Sequence, residues 1–562
     1  MSASSSSQLA AYMASLWDVA RTAWRVIRTR GPNQVQFWLI AMAVGIAAGF
    51  AALLFRKGIA ALQALLYRAE DLSHLHTWAG TLPWYWVLAI PILGGLVVGW
   101  ILHLFTPDGR VRSVADVIQG AALHEGRVEE RAGLASAAAS LITLGTGGSS
   151  GREGPVVHLA AVISTRVLNW IKADGVTGRD LLGCAVAAAV SASFNAPIAG
   201  ALFALEVVLR HFAIHAFAPI VIASVAGTVI NRLEFGGVTE FTLPDASFLQ
   251  FYQELPAFLL LGATCGVVAG VLMRAIFAAE DFATHVQGQT GLPRWLRPAL
   301  AGAVLGVLAI GFPHIIGVGY ETTSNALTGQ LGVWDAIVFA VIKTVAVAVT
   351  IGGRMGGGVF SPSLMVGALT GLAFGLIATS VFPDVSGSLS LYALAGMGGV
   401  AAAVLGAPIS TTLIVFELTG DWATGLAVMV TVSISTAIGT RLVDRSFFLT
   451  QLERRDVHLA AGPQAYLLAL FRVSEVMRPM GSERAPSADA CWELIEAGDY
   501  VDAQSTLESA LPAFDRTSAV FLPVVQITKA NEPPKLLGAI YHVDALRAYN
   551  RALAATAAEE HS

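Results

Sequence analysis

An ionisable pair, Arg152 and Glu153, stands in a glycine-rich break between two apolar segments, Ala132–Leu144 and Val156–Trp170. A charged side chain at membrane depth is costly, so its presence there indicates a functional site. Pro155 suits the first turn of a helix, where its missing N–H costs nothing. Free N–H groups at a helix start attract anions. We therefore predict an anion site in which the Glu153 carboxylate stands.

Two other interpretations of this stretch stay open at this point. Gly145-Thr-Gly147-Gly-Ser-Ser150 half-matches a dinucleotide-binding fingerprint, although Ser150 replaces the third glycine and no Lys-Ser/Thr pair follows for a phosphate-binding loop. Arg152 and Glu153 could also form a purely structural ion pair, because such networks are common in proteins.

The composition is that of a polytopic membrane protein. Hydrophobic residues make up 55% of the chain and charged residues 13%, whereas soluble domains carry about 25% charged residues. The 56 glycines fit closely packed membrane helices. A net charge of −5 gives no reason to expect nucleic acid as a partner. The three cysteines, Cys184, Cys265 and Cys491, are too far apart to form a metal or disulfide pattern.

Both ends of the chain are predicted to be cytoplasmic. Residues 1–34 form an N-terminal segment in which Leu9–Arg30 has the pattern of an amphipathic helix on the membrane surface. Its arginines precede a first span at Phe37–Phe55, which favours a cytoplasmic N-terminus. We expect a multi-pass protein of the plasma (inner) membrane with an even number of crossings. The same rule applies to the arginines after the last apolar segment, Arg441, Arg445, Arg454 and Arg455.

The apolar segments between these ends differ in length. Tyr85–Phe105 and Phe258–Phe277 can each cross a bilayer, which requires about 20 residues. Three others are too short: Leu181–Ala192, Pro197–Leu209 and Pro408–Leu418. Short, broken segments are typical of transporters that place helix ends at the membrane midplane.

An internal repeat divides the predicted membrane domain, residues 35–455. The segment Phe194–Glu206 recurs as Leu405–Glu417, and in both a glutamate follows an Ala-Pro-Ile motif by the same spacing. Gly151-Arg-Glu-Gly-Pro155 likewise has a counterpart in Gly358-Val-Phe-Ser-Pro362. We predict an all-α membrane domain of two inverted repeats, about 35–235 and 250–445, built from short, broken, tilted helices.

Residues 456–562 have the composition of a soluble cytoplasmic tail. Phe521–Gln526 and Leu536–Tyr549 predict a strand, a turn, a second strand and a helix. We therefore expect a small α/β domain after the membrane domain.

Three separated motifs resemble the CLC family of chloride channels and chloride/proton exchangers. They are Gly151–Pro155, Gly357-Gly-Val-Phe-Ser-Pro362 and the paired Ala-Pro-Ile segments. The resemblance covers about residues 35–455. It implies a homodimer in the lipid bilayer, with one anion pathway in each subunit.

The resemblance also implies which residues form the pathway. Glu153 matches the family's gate, whose carboxylate competes with chloride. The backbone N–H groups at Arg152–Gly154 and at Val359 and Phe360 would face the anions. Ser113 matches the chloride-ligating serine, although its flanking glycines and proline are missing here. Asp116, close to this serine, is interpreted as a helix cap.

Two further positions depart from the family pattern. Phe448 stands where the family has a tyrosine, so the ring is kept but no hydroxyl can donate to an anion. Glu206 matches the first of two adjacent glutamates in exchangers, but the second, the proton-relay position, is Val207.

The tail resembles a CBS domain, best over residues 499–552, with 473–498 as a truncated first copy. Some family members bind adenine nucleotides in this domain, but no residue here requires it, and a dimer-stabilising role is an equal alternative. We otherwise expect no cofactor and no metal. His158 is expected to have an ordinary hydrogen-bonding partner, and His211 and His215 have a spacing that could bind a metal only with a third ligand.

These observations predict a function in anion transport and no enzymatic activity. The expected function is a glutamate-gated chloride channel, sensitive to pH or voltage, that conducts small monovalent anions. The alternative is a chloride/proton antiporter in which water carries the proton past Val207.

Overall fold

The computed structural model describes residues 32–236, 254–457, 471–526 and 534–560, apart from 70, 174, 213, 483 and 518, together with 241, 459 and 468. The surface helix predicted at Leu9–Arg30 lies outside these residues.

The first half of the membrane region is helical. Its helices are α1 (Gln34–Tyr67), α2 (Leu75–Thr81), α3 (Trp84–Phe105), α4 (Val114–Leu123), α5 (Glu130–Gly145), α6 (Glu153–Ile171), α7 (Gly175–Phe194), α8 (Pro197–Phe203) and α9 (Ile214–Phe235). A π-helical turn, Ala204–Leu209, extends α8.

The second half follows the same plan. Its helices are α10 (Leu255–Thr290), α11 (Arg297–Gly311), α12 (Tyr320–Leu327), α13 (Val333–Gly352), α14 (Phe360–Val381), α15 (Leu389–Leu405), α16 (Pro408–Thr419), α17 (Trp422–Leu442) and α18 (Phe447–Glu453). Short 3-10 turns occur at Leu72–His74, Arg294–Leu296 and Pro313–Ile315.

Within the described residues, eight helices are long and apolar enough to cross a membrane. They include the three predicted spans, which lie in α1, α3 and α10. Leu181–Ala192 belongs to the 20-residue helix α7, which is not among these eight candidate spans, as expected for an apolar stretch too short to cross. Its polar start, with Arg179 and Asp180, continues the helix and is itself buried. Pro197–Leu209 and Pro408–Thr419 are short apolar helices, as expected.

The two halves meet through reciprocal contacts. The backbone N–H of Gly151 donates to the carbonyl of Gly358 at 2.7 Å, and the N–H of Gly358 donates to the carbonyl of Gly151 at 2.7 Å. Each glycine precedes the helix that carries its repeat's anion motif. A two-fold rotation exchanges these two hydrogen bonds, as expected for inverted repeats.

The repeated glutamates make a second reciprocal pair. Glu206 accepts from the backbone N–H groups of Ile409 and Ser410, at 2.9 and 2.8 Å, at the start of α16. Glu417 accepts from Ile198 and Ala199, at 3.0 and 2.7 Å, at the start of α8. Each carboxylate therefore caps the short helix of the other repeat, where N–H groups lack an acceptor and the dipole is positive.

The tail is a small α/β unit. It contains the helices α19 (Val473–Val476), α20 (Ala488–Glu496), α21 (Leu507–Thr517) and α22 (His542–Glu560), and the strands β1 (Arg478–Pro479), β2 (Val501–Asp502), β3 (Phe521–Gln526) and β4 (Lys535–Tyr541). The sheet order is β1-β4-β3-β2. The two predicted strands and the helix are confirmed by β3, β4 and α22, whereas the predicted turn lies outside the described residues. Arg472 in the tail contacts Glu125 in the membrane region, with Nη2 2.8 Å from Oε1.

Candidate functional site

A cavity of about 30 Å³ lies where several helices begin. A cavity needs at least about 10–15 Å³ to hold one water molecule, so this one has room for a water or a small ion. Residues from both repeats form its wall. The predicted site residues that line it are Ser113, Glu153, Gly154, Val359, Phe360 and Phe448.

Four helices begin at this cavity. They are α4, preceded by Ser113, α6, which begins at Glu153, α14, which begins at Phe360, and the short α18, which begins at Phe447. The first N–H groups of a helix have no acceptor within the helix, and they lie at the positive end of its dipole. The bridge between Gly151 and Gly358 holds the starts of α6 and α14 side by side. The cavity is therefore suited to an anion.

Glu153 occupies this electropositive position. Its side chain is 2% exposed, and the hydroxyl of Ser361 donates to its Oε1 at 2.5 Å. The backbone N–H groups of Glu153 and Ser361 face the same carboxylate. The carboxylate thus stands at helix starts whose N–H groups would also attract an anion.

Arg152 lies behind the carboxylate and does not line the cavity. Its Nη2 donates to the backbone carbonyl of Ser193 at 2.9 Å, and its Nε is 3.8 Å from Oε1 of Glu153. The guanidinium lies over the ring of Tyr320, 5.4 Å from the ring centroid. Arg152 therefore adds positive charge near the gate position and anchors α6 to α7.

Ser113 reaches the cavity from the start of α4. The carboxylate of Asp116 accepts from the backbone N–H of Ser113 at 2.7 Å and also pairs with Arg455 at 2.9 Å. The interpretation of Asp116 as a helix cap is confirmed, and Arg455 balances its charge. The Ser113 hydroxyl donates to Gln451 on α18 at 3.2 Å.

Phenyl rings form the remaining wall of the cavity. Phe360 packs on Phe203 with ring centroids 5.7 Å apart, and both line the cavity with Phe448. Phe448 is 4% exposed and belongs to α18. At this end of the cavity the aromatic side chains offer no hydroxyl to an anion.

The relay position Val207 lies in the π-helical turn that follows α8 and does not line the cavity. Its neighbour Glu206 is directed into the other repeat, where the hydroxyl of Ser410 also donates to it at 2.6 Å. Glu206 is therefore committed as a helix cap.

The expectation that His158 has an ordinary partner is wrong. His158 is 2% exposed, and neither ring nitrogen has a hydrogen-bond partner among the described residues. The ring lies against Gly133 on α5, where a Cβ would stand 2.6 Å from its Cε1. The other two histidines considered as metal ligands have different partners. His215 Nε2 lies 3.4 Å from Oδ2 of Asp180, and His211 Nδ1 lies 3.0 Å from the carbonyl oxygen of Leu209. Within the described residues, no group of three or more His, Cys, Asp or Glu could hold a metal ion.

Sequence reasoning missed three residues of this site, namely Ser361, Gln451 and Phe203. Ser361 lies within a quoted motif, but its type alone gives no sign that its hydroxyl reaches a residue 208 positions away. Gln451 is three residues after Phe448, which is one helical turn, and this spacing could have placed it at the cavity.

Several known proteins are similar to this chain in sequence. A family model described as voltage gated chloride channel matches residues 94–440. The chain is 32% identical over 395 residues to a putative chloride channel protein ClcB-like from Ralstonia nicotianae, covering 69% of this chain and 90% of that protein. It is 27% identical to the H⁺/Cl⁻ exchange transporter ClcA of Cronobacter sakazakii, covering 78% and 94%.

A solved structure has the same fold. It is a slow cyanobacterial Cl⁻/H⁺ antiporter, with a TM-score of 0.66 and 22% sequence identity, covering 75% of this chain and 98% of that chain. The relatives thus carry the names of channels and of exchangers, and the likeness does not separate the two modes of transport.

Proposed function

The chain belongs to the CLC family of chloride channels and transporters, and on that premise we propose that it is a passive chloride channel gated by Glu153. The observation that carries this proposal is the buried Glu153 carboxylate at the cavity where α4, α6 and α14 begin. A carboxylate there competes with an anion for the same N–H donors. Protonation removes its charge and ends that competition, so acidic pH opens the pathway.

The proposal of a channel rests on the inner side of the cavity. An exchanger must deliver a proton from the cytoplasm to Glu153 for each cycle. Val207 cannot hold a proton, and the carboxylate of Glu206 caps α16. Phe448 offers no hydroxyl to retain an anion at the inner end. These three positions favour a single gate and the flow of chloride down its gradient. We propose no enzymatic activity.

One observation favours an exchanger as the second candidate. His158 is a buried titratable side chain on the same helix as Glu153, five residues further along, with no hydrogen-bond partner among the described residues. A histidine can carry a proton when water reaches it. The reversal potential of the anion current across a proton gradient separates the two candidates, because only an exchanger couples the current to protons.

We also propose that the protein is a homodimer of the inner plasma membrane with both termini in the cytoplasm. The support is a set of exposed apolar side chains on α8, α9, α16 and α17, the helices that surround the reciprocal glutamate caps. These are Ile198, Phe217, Ile409 and Met429, with 47–56% exposure. Within a membrane such faces can associate with a second copy through van der Waals packing.

The dimer predicts a mass of two chains in mild detergent. Mass photometry or light scattering of the full-length protein checks this, and polar substitutions at two of these positions, Ile198→Gln with Ile409→Gln, are expected to raise the monomer fraction. Leu39→Gln, an exposed change on α1, is the control. A monomeric mass for the unmodified chain at all concentrations contradicts the proposal.

A further inference from the structure

Ser361 makes a contact that the anion motif alone does not explain. It is the second residue of α14 and is 3% exposed. Its Oγ lies 2.5 Å from Oε1 of Glu153, and its backbone N–H faces the same carboxylate. An O–H···O⁻ contact of this length is a charge-assisted hydrogen bond, which is about twice as strong as a neutral one. The hydroxyl of one residue in the second repeat thus hydrogen-bonds the gate of the first repeat.

The other groups around Glu153 leave the Ser361 hydroxyl to set the orientation of its carboxylate. Oε2 of Glu153 has no hydrogen-bond partner among the described residues. It lies against Gly151, only 2.7 Å from the point where a Cβ on that glycine would stand. The Nε of Arg152 contributes charge at 3.8 Å from Oε1, which is beyond hydrogen-bonding distance. Ser361 therefore contributes a side-chain hydrogen bond that orients the carboxylate in the closed position.

We propose that the Ser361 hydroxyl is a latch that holds ionised Glu153 in the anion site and sets the pH at which the pathway opens. The inference rests on the proposed function of Glu153 as the gate. The hydroxyl donates to the charged carboxylate, so it stabilises the ionised, closed form over the protonated, open form. Because the latch opposes protonation, opening requires a lower pH than it would without the hydroxyl.

The Ser361 hydroxyl also distinguishes the Glu153 carboxylate from a competing chloride ion. The short Oγ–Oε1 distance fits an oxygen acceptor, while chloride is larger and requires a longer contact. The hydroxyl thus favours the carboxylate over the anion that competes with it. Ser361 is a positioning residue for the gate.

The test is anion flux from proteoliposomes as a function of pH, measured for Ser361→Ala and Ser361→Thr in the full-length protein. Losing the hydroxyl is expected to shift the half-opening pH upward by about one unit, which corresponds to a tenfold change in the closed–open equilibrium. The threonine variant keeps a hydroxyl and is expected to restore the original midpoint. It also shows whether the site tolerates substitution.

Ser363→Ala is the matched control. Ser363 lies two residues further on the same helix, is fully buried, and donates to the carbonyl of Val359 and not to Glu153. Its loss is expected to leave the half-opening pH unchanged. A midpoint shift in Ser363→Ala as large as in Ser361→Ala would show a general effect of the helix start and overturn the latch.

The Glu153→Ala background separates the two proposals. If Glu153→Ala removes the pH dependence and Ser361→Ala has no further effect on it, the latch acts through the gate as proposed. A second outcome is that Glu153→Ala removes the pH dependence, but Ser361→Ala alone has the same half-opening pH as the unmodified protein. In that case the latch proposal is wrong and the proposed role of Glu153 as the gate is kept. If Glu153→Ala itself leaves the pH dependence intact, the proposed gate fails and the latch fails with it.

Discussion

Replacing Glu153 with alanine or glutamine is expected to raise chloride flux at pH 7 at least about tenfold and to remove its dependence on pH. The carboxylate is held in the anion site by the Ser361 hydroxyl. A hydrogen bond to a charged group contributes about 1.5–3 kcal/mol, and each 1.4 kcal/mol is about tenfold in an equilibrium. Both substitutions remove the charge that competes with chloride, and glutamine keeps the shape of the protonated acid.

The measurement is chloride efflux from proteoliposomes between pH 4 and pH 8. Glu130→Gln is the control. Glu130 begins α5 as Glu153 begins α6, but it does not line the cavity, and its Oε2 lies 3.0 Å from Nη1 of Arg166. The control is expected to keep the pH profile of the unmodified protein. An unchanged profile in both Glu153 variants would show that Glu153 is only a structural partner of Arg152.

Gly357→Ala is expected to have the largest effect on stability. Gly357 has φ +104°, in a region that side chains rarely adopt, and a Cβ on it would stand 2.0 Å from Oγ and 2.4 Å from Cβ of Ser150. Backbone strain of this kind costs on the order of 1–3 kcal/mol, and the overlap with Ser150 adds to it. The substitution pushes apart the segments that bring α6 and α14 together at the cavity.

Thermal unfolding in detergent, followed by the monodisperse fraction in size-exclusion chromatography, measures this effect. Gly357→Ala is expected to unfold several degrees lower or to fail to purify as a folded protein. Gly311→Ala at the end of α11 is the control, since no atom lies within 4 Å of its added Cβ and its φ is not positive. Equal unfolding temperatures for the two variants would contradict the close contact between Gly357 and Ser150.

The anion motifs could be located from the sequence because their residue types carry a physical meaning. Glycine and proline around Glu153 and Phe360 mark helix starts, and the spacing is repeated in both halves of the chain. The prediction that these residues line one site therefore required only that the two helix starts lie close together. The structure supplies that geometry through the reciprocal bridge between Gly151 and Gly358.

Other features required the arrangement of the two repeats in space. The sequence shows that Glu206 and Glu417 are equivalent, but it does not show that each caps a helix of the other repeat. The role of Ser361 could not be predicted either, because its hydroxyl reaches Glu153 only when the motifs of the two repeats lie side by side. Local periodicity carries no information about contacts between positions about 200 residues apart.

One prediction failed because it relied on a general pattern alone. His158 was expected to have a partner, because buried polar groups usually do. Its position opposite Gly133 on α5 leaves both ring nitrogens unpaired among the described residues.

The central claim is that chloride moves through this protein without coupling to protons, and the reversal potential of the anion current tests it most directly. The measurement uses the full-length protein in a planar bilayer, with a fixed chloride gradient and a pH gradient that is then reversed. A channel gated by Glu153 is expected to keep the reversal potential at the chloride equilibrium value in both directions of the pH gradient, while only the size of the current changes. A reversal potential that moves with the pH gradient, and that returns to the chloride value in Glu153→Ala, would contradict the account and identify a chloride/proton exchanger.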